Sequence, residues 1–346
     1  MKWLNCEKMK LALVVFVAAI VLSGGWRAKA EIIMSEPINV GPVINDAGNV
    51  QECDFSSDGL KLYFCGSGGI RVATRESTES DWSERGPVII TGVDPAISPD
   101  DLELYFDIWG DWYLRVATRP SKDEPWGNPV KIGPPVGSYD AYTADISADG
   151  LSLYFASYER PGGYGEDDIW VATRATINDE WGEPVNLGPN VNSSGSDLCP
   201  SISSDGLTLV FNRGPWGGIL ASTRNSVDDE WSPAVNLNIN NPGYFYGPAL
   251  SPDGSTIYFD ASAAWGGYGD DDIWQVTFTP VVDFNGDGNI DTDDLLILIE
   301  HWGQEDLSCD IAPLPLGDGV VDIEDLKVFI EYWEQENMPD NPENEE

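Results

Sequence analysis

From Asp283 the chain reads Asp283-Phe284-Asn285-Gly286-Asp287-Gly288-Asn289-Ile290-Asp291-Thr292-Asp293-Asp294, followed by the helix-like run Leu295-Leu296-Ile297-Leu298-Ile299-Glu300-His301-Trp302. Asp283, Asn285, Asp287 and Asp294 put side-chain oxygens at the first, third, fifth and twelfth places of a loop. Asn289 offers a backbone carbonyl at the seventh, and Gly288 permits the sharp turn at the sixth. That is the arithmetic of a calcium-binding loop ahead of a helix, with aspartate rather than glutamate in the last place. A second run, Asp325-Leu326-Lys327-Val328-Phe329-Ile330-Glu331-Tyr332-Trp333, echoes residues 294–302 thirty-one positions later. Its loop would draw on Asp310, Asp318, the carbonyl of Val320, Asp322 and Asp325, but Ala312-Pro313-Leu314-Pro315-Leu316 lengthens the path from Asp310 to Asp318. The first loop is therefore expected to bind more tightly, so that Asp287→Ala does more harm than Asp310→Ala. From residue 281 onward 20 acidic residues face one base, Lys327. Calcium is expected to fold residues 281–335 by relieving that repulsion, leaving the rest of the chain indifferent. The expected core sets Leu295, Leu298, Ile299 and Trp302 against Leu326, Phe329, Ile330 and Trp333. Residues 336–346 are too acidic and proline-rich to pack.

The remaining chemistry belongs to carboxylates and aromatic rings. The 346 residues carry 18 Lys and Arg against 59 Asp and Glu, a formal charge of −41. Nucleic acids and anionic membrane surfaces are bound through Lys and Arg, so both are excluded as partners. The single histidine, His301, excludes a Ser-His-Asp triad in the main body and a His-rich zinc cage. Lys2, Lys8 and Lys10 ahead of an apolar run at 11–22, and then Ala28-Lys29-Ala30, read as a signal peptide over residues 1–30. The alternative, an uncleaved anchor, has a run short for a membrane span. Export permits disulfides. A Cys53–Cys65 bridge is left open, because the intervening turn offsets the two by one residue.

Along the rest of the chain one phrase occurs five times. Phe55-Ser56-Ser57-Asp58-Gly59-Leu60-Lys61-Leu62-Tyr63-Phe64 recurs around Asp100-Asp101, Asp149-Gly150, Asp205-Gly206 and Asp253-Gly254, at spacings of 42, 49, 56 and 48 residues. Each copy predicts a strand, an Asp-Gly hairpin turn and a second strand. A third strand follows, as in Ile70-Arg71-Val72-Ala73-Thr74-Arg75, and a fourth, as in Trp181-Gly182-Glu183-Pro184-Val185-Asn186-Leu187-Gly188. Four strands per fifty-odd residues is the period of a propeller blade. The fifth unit stops after Thr277 without its fourth strand, while Met34-Ser35-Glu36-Pro37-Ile38-Asn39-Val40-Gly41 matches that strand at the other end of the chain. The expected fold is all-β: a five-bladed propeller at 31–280 in which residues 37–41 close the ring by pairing near 273–277. The once-per-unit tryptophans Trp82, Trp126, Trp181 and Trp231 are expected to pack between blades.

These phrases resemble the WD-repeat-like propeller repeats of the TolB propeller and of many secreted bacterial proteins, over residues 34–279. The resemblance implies the fold; propellers host binding, scaffolding and catalysis alike. On the face opposite the Asp-Gly turns, Trp109, Trp112, Tyr164, Trp216, Trp265 and Tyr268 are candidates for carbohydrate contact, aromatic platforms beside acidic acceptors; covering glycine-rich loops is their other reading. The near-twin loops ending in Asp168 and Asp272 are read as turns stabilised by their last aspartate, ahead of calcium sites. Glu52, Asp54, Asp94, Asp140, Asp145 and Asp197 lie on or just before innermost strands. They are the candidates for carboxylate catalysis of the glycosidase kind, although no glycosidase signature surrounds them.

The tandem loop-helix motifs over roughly 281–335 are similar to a type I dockerin. The resemblance implies bound Ca2+, docking onto a cohesin-like scaffold protein, and service in polysaccharide-degrading machinery. Many dockerins carry Ser-Thr where Thr292-Asp293 and Ile323-Glu324 stand here. The resulting expectation is a secreted or cell-surface, non-catalytic carbohydrate-binding or scaffolding propeller. A glycoside hydrolase or lyase and a purely protein-binding ring are the alternatives.

Overall fold

The computed structural model describes residues 32–45, 48–214, 217–239, 245–262, 266–304 and 309–337. Among them the chain forms an all-β, five-bladed propeller followed by two small helices. Blade 1 consists of Gln51–Phe55, Lys61–Gly66, Gly69–Thr74 and Glu84–Arg85, and blade 2 of Val93–Ile97, Glu103–Asp107, Arg115–Thr118 and Val130–Lys131. Blade 3 is Tyr142–Ile146, Ser152–Tyr158, Asp167–Thr173 and Val185–Asn186; blade 4 is Asp197–Ile202, Thr208–Arg213, Ile219–Thr223 and Val235–Asn236. Blade 5 has Phe245–Leu250, Thr256–Ser262 and Asp271–Pro280, and takes its outer strand from the amino-terminal segment. Ile38 pairs with Gln275 and Asn39 with Trp274, the expected closure. It extends further than expected, since Ile32–Met34 pairs with residues 278–280 of the same long strand. Closing the ring in this way leaves no long unpaired edge on blade 5.

The hairpin between the first two strands has one construction throughout. Ser56 Oγ donates to Asp58 Oδ1 at 2.6 Å, the same oxygen accepts the Leu60 N–H at 3.0 Å, and Gly59 takes the left-handed φ of 67° that closes the turn. Ser98 with Asp100, Ser147 with Asp149, Ser203 with Asp205 and Ser251 with Asp253 repeat it. In blade 2 it is Asp101 that adopts the left-handed φ, 64°. Its buried carboxylate receives Lys61 and Tyr63 from blade 1 and pairs with Arg119 at 2.9 Å.

The recurring tryptophans do pack between blades, and a partner that sequence reading missed holds them there. The arginine ending each third strand lies over the indole: Arg75 on Trp82 at 4.6 Å, Arg119 on Trp126 at 4.3 Å, Arg174 on Trp181 at 4.3 Å and Arg224 on Trp231 at 4.4 Å. Each Nε donates at 2.8 Å to a carbonyl of its own hairpin turn, that of Gly59, Asp101, Gly150 or Gly206. Each tryptophan shares a core cluster with the tyrosine of the preceding blade: Trp82 with Tyr258, Trp126 with Tyr63, Trp181 with Tyr105 and Trp231 with Tyr154. A cation over indole contributes about 1 kcal/mol. Anchoring the guanidinium to the turn makes turn, outer strand and seam one unit.

Cys53 faces Phe64 and Cys65 faces Gln51 across the first hairpin, and among the described residues neither these two nor Cys199 and Cys309 form a disulfide. Of the two helices, α1 (Thr292–Glu300) begins with a reciprocal cap: Asp291 accepts the Asp293 N–H at 2.8 Å and Asp294 accepts the Asp291 N–H at 3.0 Å. The second, α2, spans Ile323–Asn337, so residues 336 and 337, expected in the unpacked tail, are helical. The rest of that tail and residues 1–30 lie outside the described residues. Leu298 and Phe329 are buried between the helices as expected, but Ile299, Trp302 and Ile330 are exposed. Val282, Ile311 and Val321, from the segments leading into the helices, fill the interior instead, with Phe284 stacked on Phe329 at 6.1 Å.

Candidate functional site

All five innermost strands slip register at the same point, between Gln51 and Cys53, Val93 and Ala96, Tyr142 and Asp145, Leu198 and Ser201, and Tyr246 and Ala249. At the slip Glu52, Asp94, Thr143, Cys199 and Gly247 adopt left-handed φ values of 39° to 52°. The bulge turns these five equivalent positions onto the axis, where they line a cavity of about 30 Å³. Asp260 and Asp107, from the second strands of blades 5 and 2, stand behind them: Asp260 accepts the Glu52 N–H and Asp107 the Thr143 N–H, each at 3.3 Å. Burial, then the charges of Asp260 and Asp107, push the Glu52 carboxyl well up; burial raises Asp107 and Asp260 each to about 7.

Of the six sequence candidates only Glu52 and Asp94 share this cavity. Asp54 and Asp145 together line a second axial cavity, of about 60 Å³, and are also joints between blades. Asp54 accepts the N–H of Phe55 at 2.7 Å and of Ile97 in the next blade at 2.6 Å; Asp145 accepts those of Ile146 and Ile202, both at 2.7 Å. Asp197 is buried against Arg213 at 2.6 Å and accepts the Ser193 N–H at 2.6 Å. Asp140 is half-buried in the loop entering blade 3. Asp107 and Asp260 were missed, though each follows a Tyr-Phe pair that ends the repeated phrase, Tyr105-Phe106-Asp107 and Tyr258-Phe259-Asp260.

On the face opposite the turns, Trp109 is 79% exposed and its ring lies 6.3 Å from that of Trp112, which meets Tyr142 edge-on at 5.4 Å. The two tryptophans form an exposed aromatic platform on blade 2, backed by the buried ring of Tyr142 from blade 3. Tyr164 and Tyr268 are exposed on the twin loops. There Asp168 accepts the Tyr164 N–H at 2.7 Å and Asp272 the Tyr268 N–H at 2.7 Å, so both aspartates do close turns. Trp216 and Trp265 lie outside the described residues.

In the carboxyl-terminal segment the two loops have matching frames. Asp283 accepts the N–H of Asp287 at 3.1 Å and of Gly288 at 2.8 Å; Asp310 accepts those of Asp318 and Gly319, both at 3.0 Å. Asp294 receives Asn285 and Asp291, while Asp325 receives Ala312 and Asp322. Gly286 and Gly288 adopt φ values of 73° and 90°, and Gly317 and Gly319 of 70° and 96°. The lengthened path therefore does not displace Asp310. Burial and the charge of Asp325 raise Asp310 to about 7, and burial raises Asp325 to about 6. Among the described residues no three His, Cys, Asp or Glu side chains are gathered closely enough to hold a metal ion.

No family model matches this chain, and no curated protein does. Among solved structures it is similar to TolB from Acinetobacter baumannii, at 12% identity over 67% of this chain and 55% of that one, with a TM-score of 0.40. A putative TolB from Agrobacterium tumefaciens is 16% identical over 75% of this chain and 100% of that one, with a TM-score of 0.41. Hydrazine synthase from Kuenenia stuttgartiensis is 16% identical over 65% and 59%, with a TM-score of 0.36. The chain thus spans little more than half the length of the first of these. Its own strand pairing, blade by blade, establishes the propeller.

The axial carboxyls set a pH dependence opposite to ordinary acid denaturation. Glu52, Asp107 and Asp260 hold their protons more tightly folded than unfolded. The stability they contribute is full below the unfolded value of about 4 and is lost as pH rises through the folded values, about 7 for Asp107 and Asp260. The ring is expected to melt higher at about pH 5 than at about pH 8, and Glu52→Gln to flatten that slope. Thermal scans of both proteins across this range check it; parallel slopes would remove Glu52 from the account.

Proposed function

We propose that this chain is an exported, non-catalytic binding propeller carried on a calcium-dependent docking module of the dockerin type, through which a cohesin-like scaffold attaches it to polysaccharide-degrading machinery. The observation that carries the reading is the matched frame of the two carboxyl-terminal loops, in which four aspartates are held by equivalent backbone N–H groups. The donor set is entirely oxygen, the chemistry a hard divalent cation prefers. In the first loop Asp283, Asn285, Asp287, the Asn289 carbonyl and Asp294 would hold calcium; in the second Asp310, Asp318, the Val320 carbonyl, Asp322 and Asp325 would. The ion would supply the positive charge that lets these clustered acids approach. The aromatic platform of Trp109 and Trp112 supports a carbohydrate ligand, because exposed rings offer a sugar's C–H face an apolar seat.

One second reading has an observation behind it. Glu52, Asp107 and Asp260 titrate high on the axis, as a general acid must, which favours a hydrolase. The axial cavity that Glu52 lines, about 30 Å³, has room for roughly one water and none for a sugar ring, whereas Asp260 lines a separate cavity of about 200 Å³. Calcium titration of the full chain by calorimetry and a glycan array decide between them. Two bound ions, and glycan retention without product release that Trp109→Ala and Trp112→Ala together abolish, are expected. Reducing-end release lost in Glu52→Gln would establish the hydrolase. Capture of a protein with no glycan retained would establish a protein-binding ring.

A further inference from the structure

Four of the five seams between blades are closed by the tyrosine, arginine and tryptophan described above. Where blade 5 meets blade 4 all three are replaced: Val210 stands for the tyrosine, Phe278 for the arginine and Met34 for the tryptophan. Met34 and Phe278 face each other across the closing strand pair. The result is an apolar seam, and Leu314 and Leu316 of the carboxyl-terminal segment pack onto it beside Ile32. Thr208 Oγ1 donates to the Leu314 carbonyl at 3.0 Å. Both leucines belong to the stretch at 312–316 that lengthens the second loop. Its ends are fixed, with Asp325 accepting the N–H of Ile311 at 2.6 Å and of Ala312 at 2.9 Å, and the Gly317 N–H donating to the Pro313 carbonyl at 2.8 Å.

We propose that residues 312–316 are the lock of this seam, an apolar peg in place of the Arg–Trp stack, and that they fix the carboxyl-terminal segment to the turn face of blades 4 and 5 as one rigid body with the ring. Two prolines in five residues limit the conformations the peg loses on docking. The seam's three departures from the repeat then have one explanation, since a tryptophan and an arginine at positions 34 and 278 would occupy the space the leucines fill. A consequence rests on the proposed function: a partner gripping the segment holds the ring by its turn face. Trp109 and Trp112 then lie on the face away from that partner, about 20 Å or more off across strands of six and seven residues.

Backbone ¹⁵N relaxation of the full chain tests the lock, whether or not any glycan or scaffold binds. In the natural protein, ring and segment should share one correlation time. In Leu314→Asp/Leu316→Asp the segment's correlation time should fall about twofold or more, as for a domain on a linker, and the ring should melt lower. Val210→Tyr/Met34→Trp/Phe278→Arg rebuilds the lock of the other seams and leaves the segment's sequence intact. It should expel the peg and free the segment while the ring stays folded, which decides the matter if the aspartate pair costs the segment its helices. A segment that already tumbles separately in the natural protein overturns the proposal, as does a common correlation time retained in either variant.

Discussion

Asp101→Gly is expected to lower the stability of the ring by about 3 kcal/mol, the low end of what removing one partner of a buried ion pair costs. Asp101 occupies the place that Gly59, Gly150, Gly206 and Gly254 hold in the other turns. Glycine is therefore the least strained replacement, and relief of about 1 kcal/mol at a left-handed position works against the loss. What disappears is a carboxylate, 1% exposed, that receives Lys61 and Tyr63 from blade 1 and Arg119 from its own blade. Arg119 stays held over Trp126 without its anion, whereas Lys61 lies near enough to solvent to turn outward. Denaturant unfolding followed by tryptophan fluorescence measures the difference, and Asp101→Asn should fall between the two proteins. A glycine variant as stable as the natural chain would mean that backbone freedom outweighs the ion pairs at this seam.

Asp310→Ala is expected to unfold the carboxyl-terminal segment even in saturating calcium, and Asp287→Ala only to weaken it, the reverse of the order the loop sequences suggest. Asp310 is buried and accepts two backbone N–H groups. Alanine leaves both donors unsatisfied, at about 1–3 kcal/mol each, comparable with the whole stability of so small a unit. Asp287 is exposed, and its contacts with Asn285 and Asn289 are made at the surface, where water replaces them. Helical circular dichroism of the full-length variants, with and without chelator, reads the ranking; greater loss in Asp287→Ala would return the first loop to the leading place. Because the peg at 312–316 leaves from the same loop, Asp310→Ala should also lower the melting of the ring. Sequence reasoning, which treated the ring as indifferent to the segment, had no view of that contact.

The ring was legible because its signals are local. Ser-x-Asp-Gly turns, alternating strands and the closing phrase at 34–41 each span ten residues or fewer, and five copies in register leave one architecture open. The frame of the first loop was legible for the same reason, as hydrogen bonds between residues five to nine apart. The site was not legible in that way. Glu52 and Asp260 are 208 positions apart and meet only because blade 5 returns beside blade 1. Asp54 and Asp145 are channel acids, as their strands suggested, but that each also ties its blade to another was decided by backbone partners 43 and 57 positions away.

By itself, then, the sequence determined the strand plan, the number of blades, the closing strand and the two acidic loops, all properties of short segments whose side chains choose their own backbone. The tertiary structure alone decided which carboxyls face the axis, which protons they keep, and that Leu314 reaches Thr208 across 106 residues. The physical reason is that burial and charge proximity, which set both packing and titration, are sums over neighbours contributed by distant blades, and no local pattern of residues carries that sum.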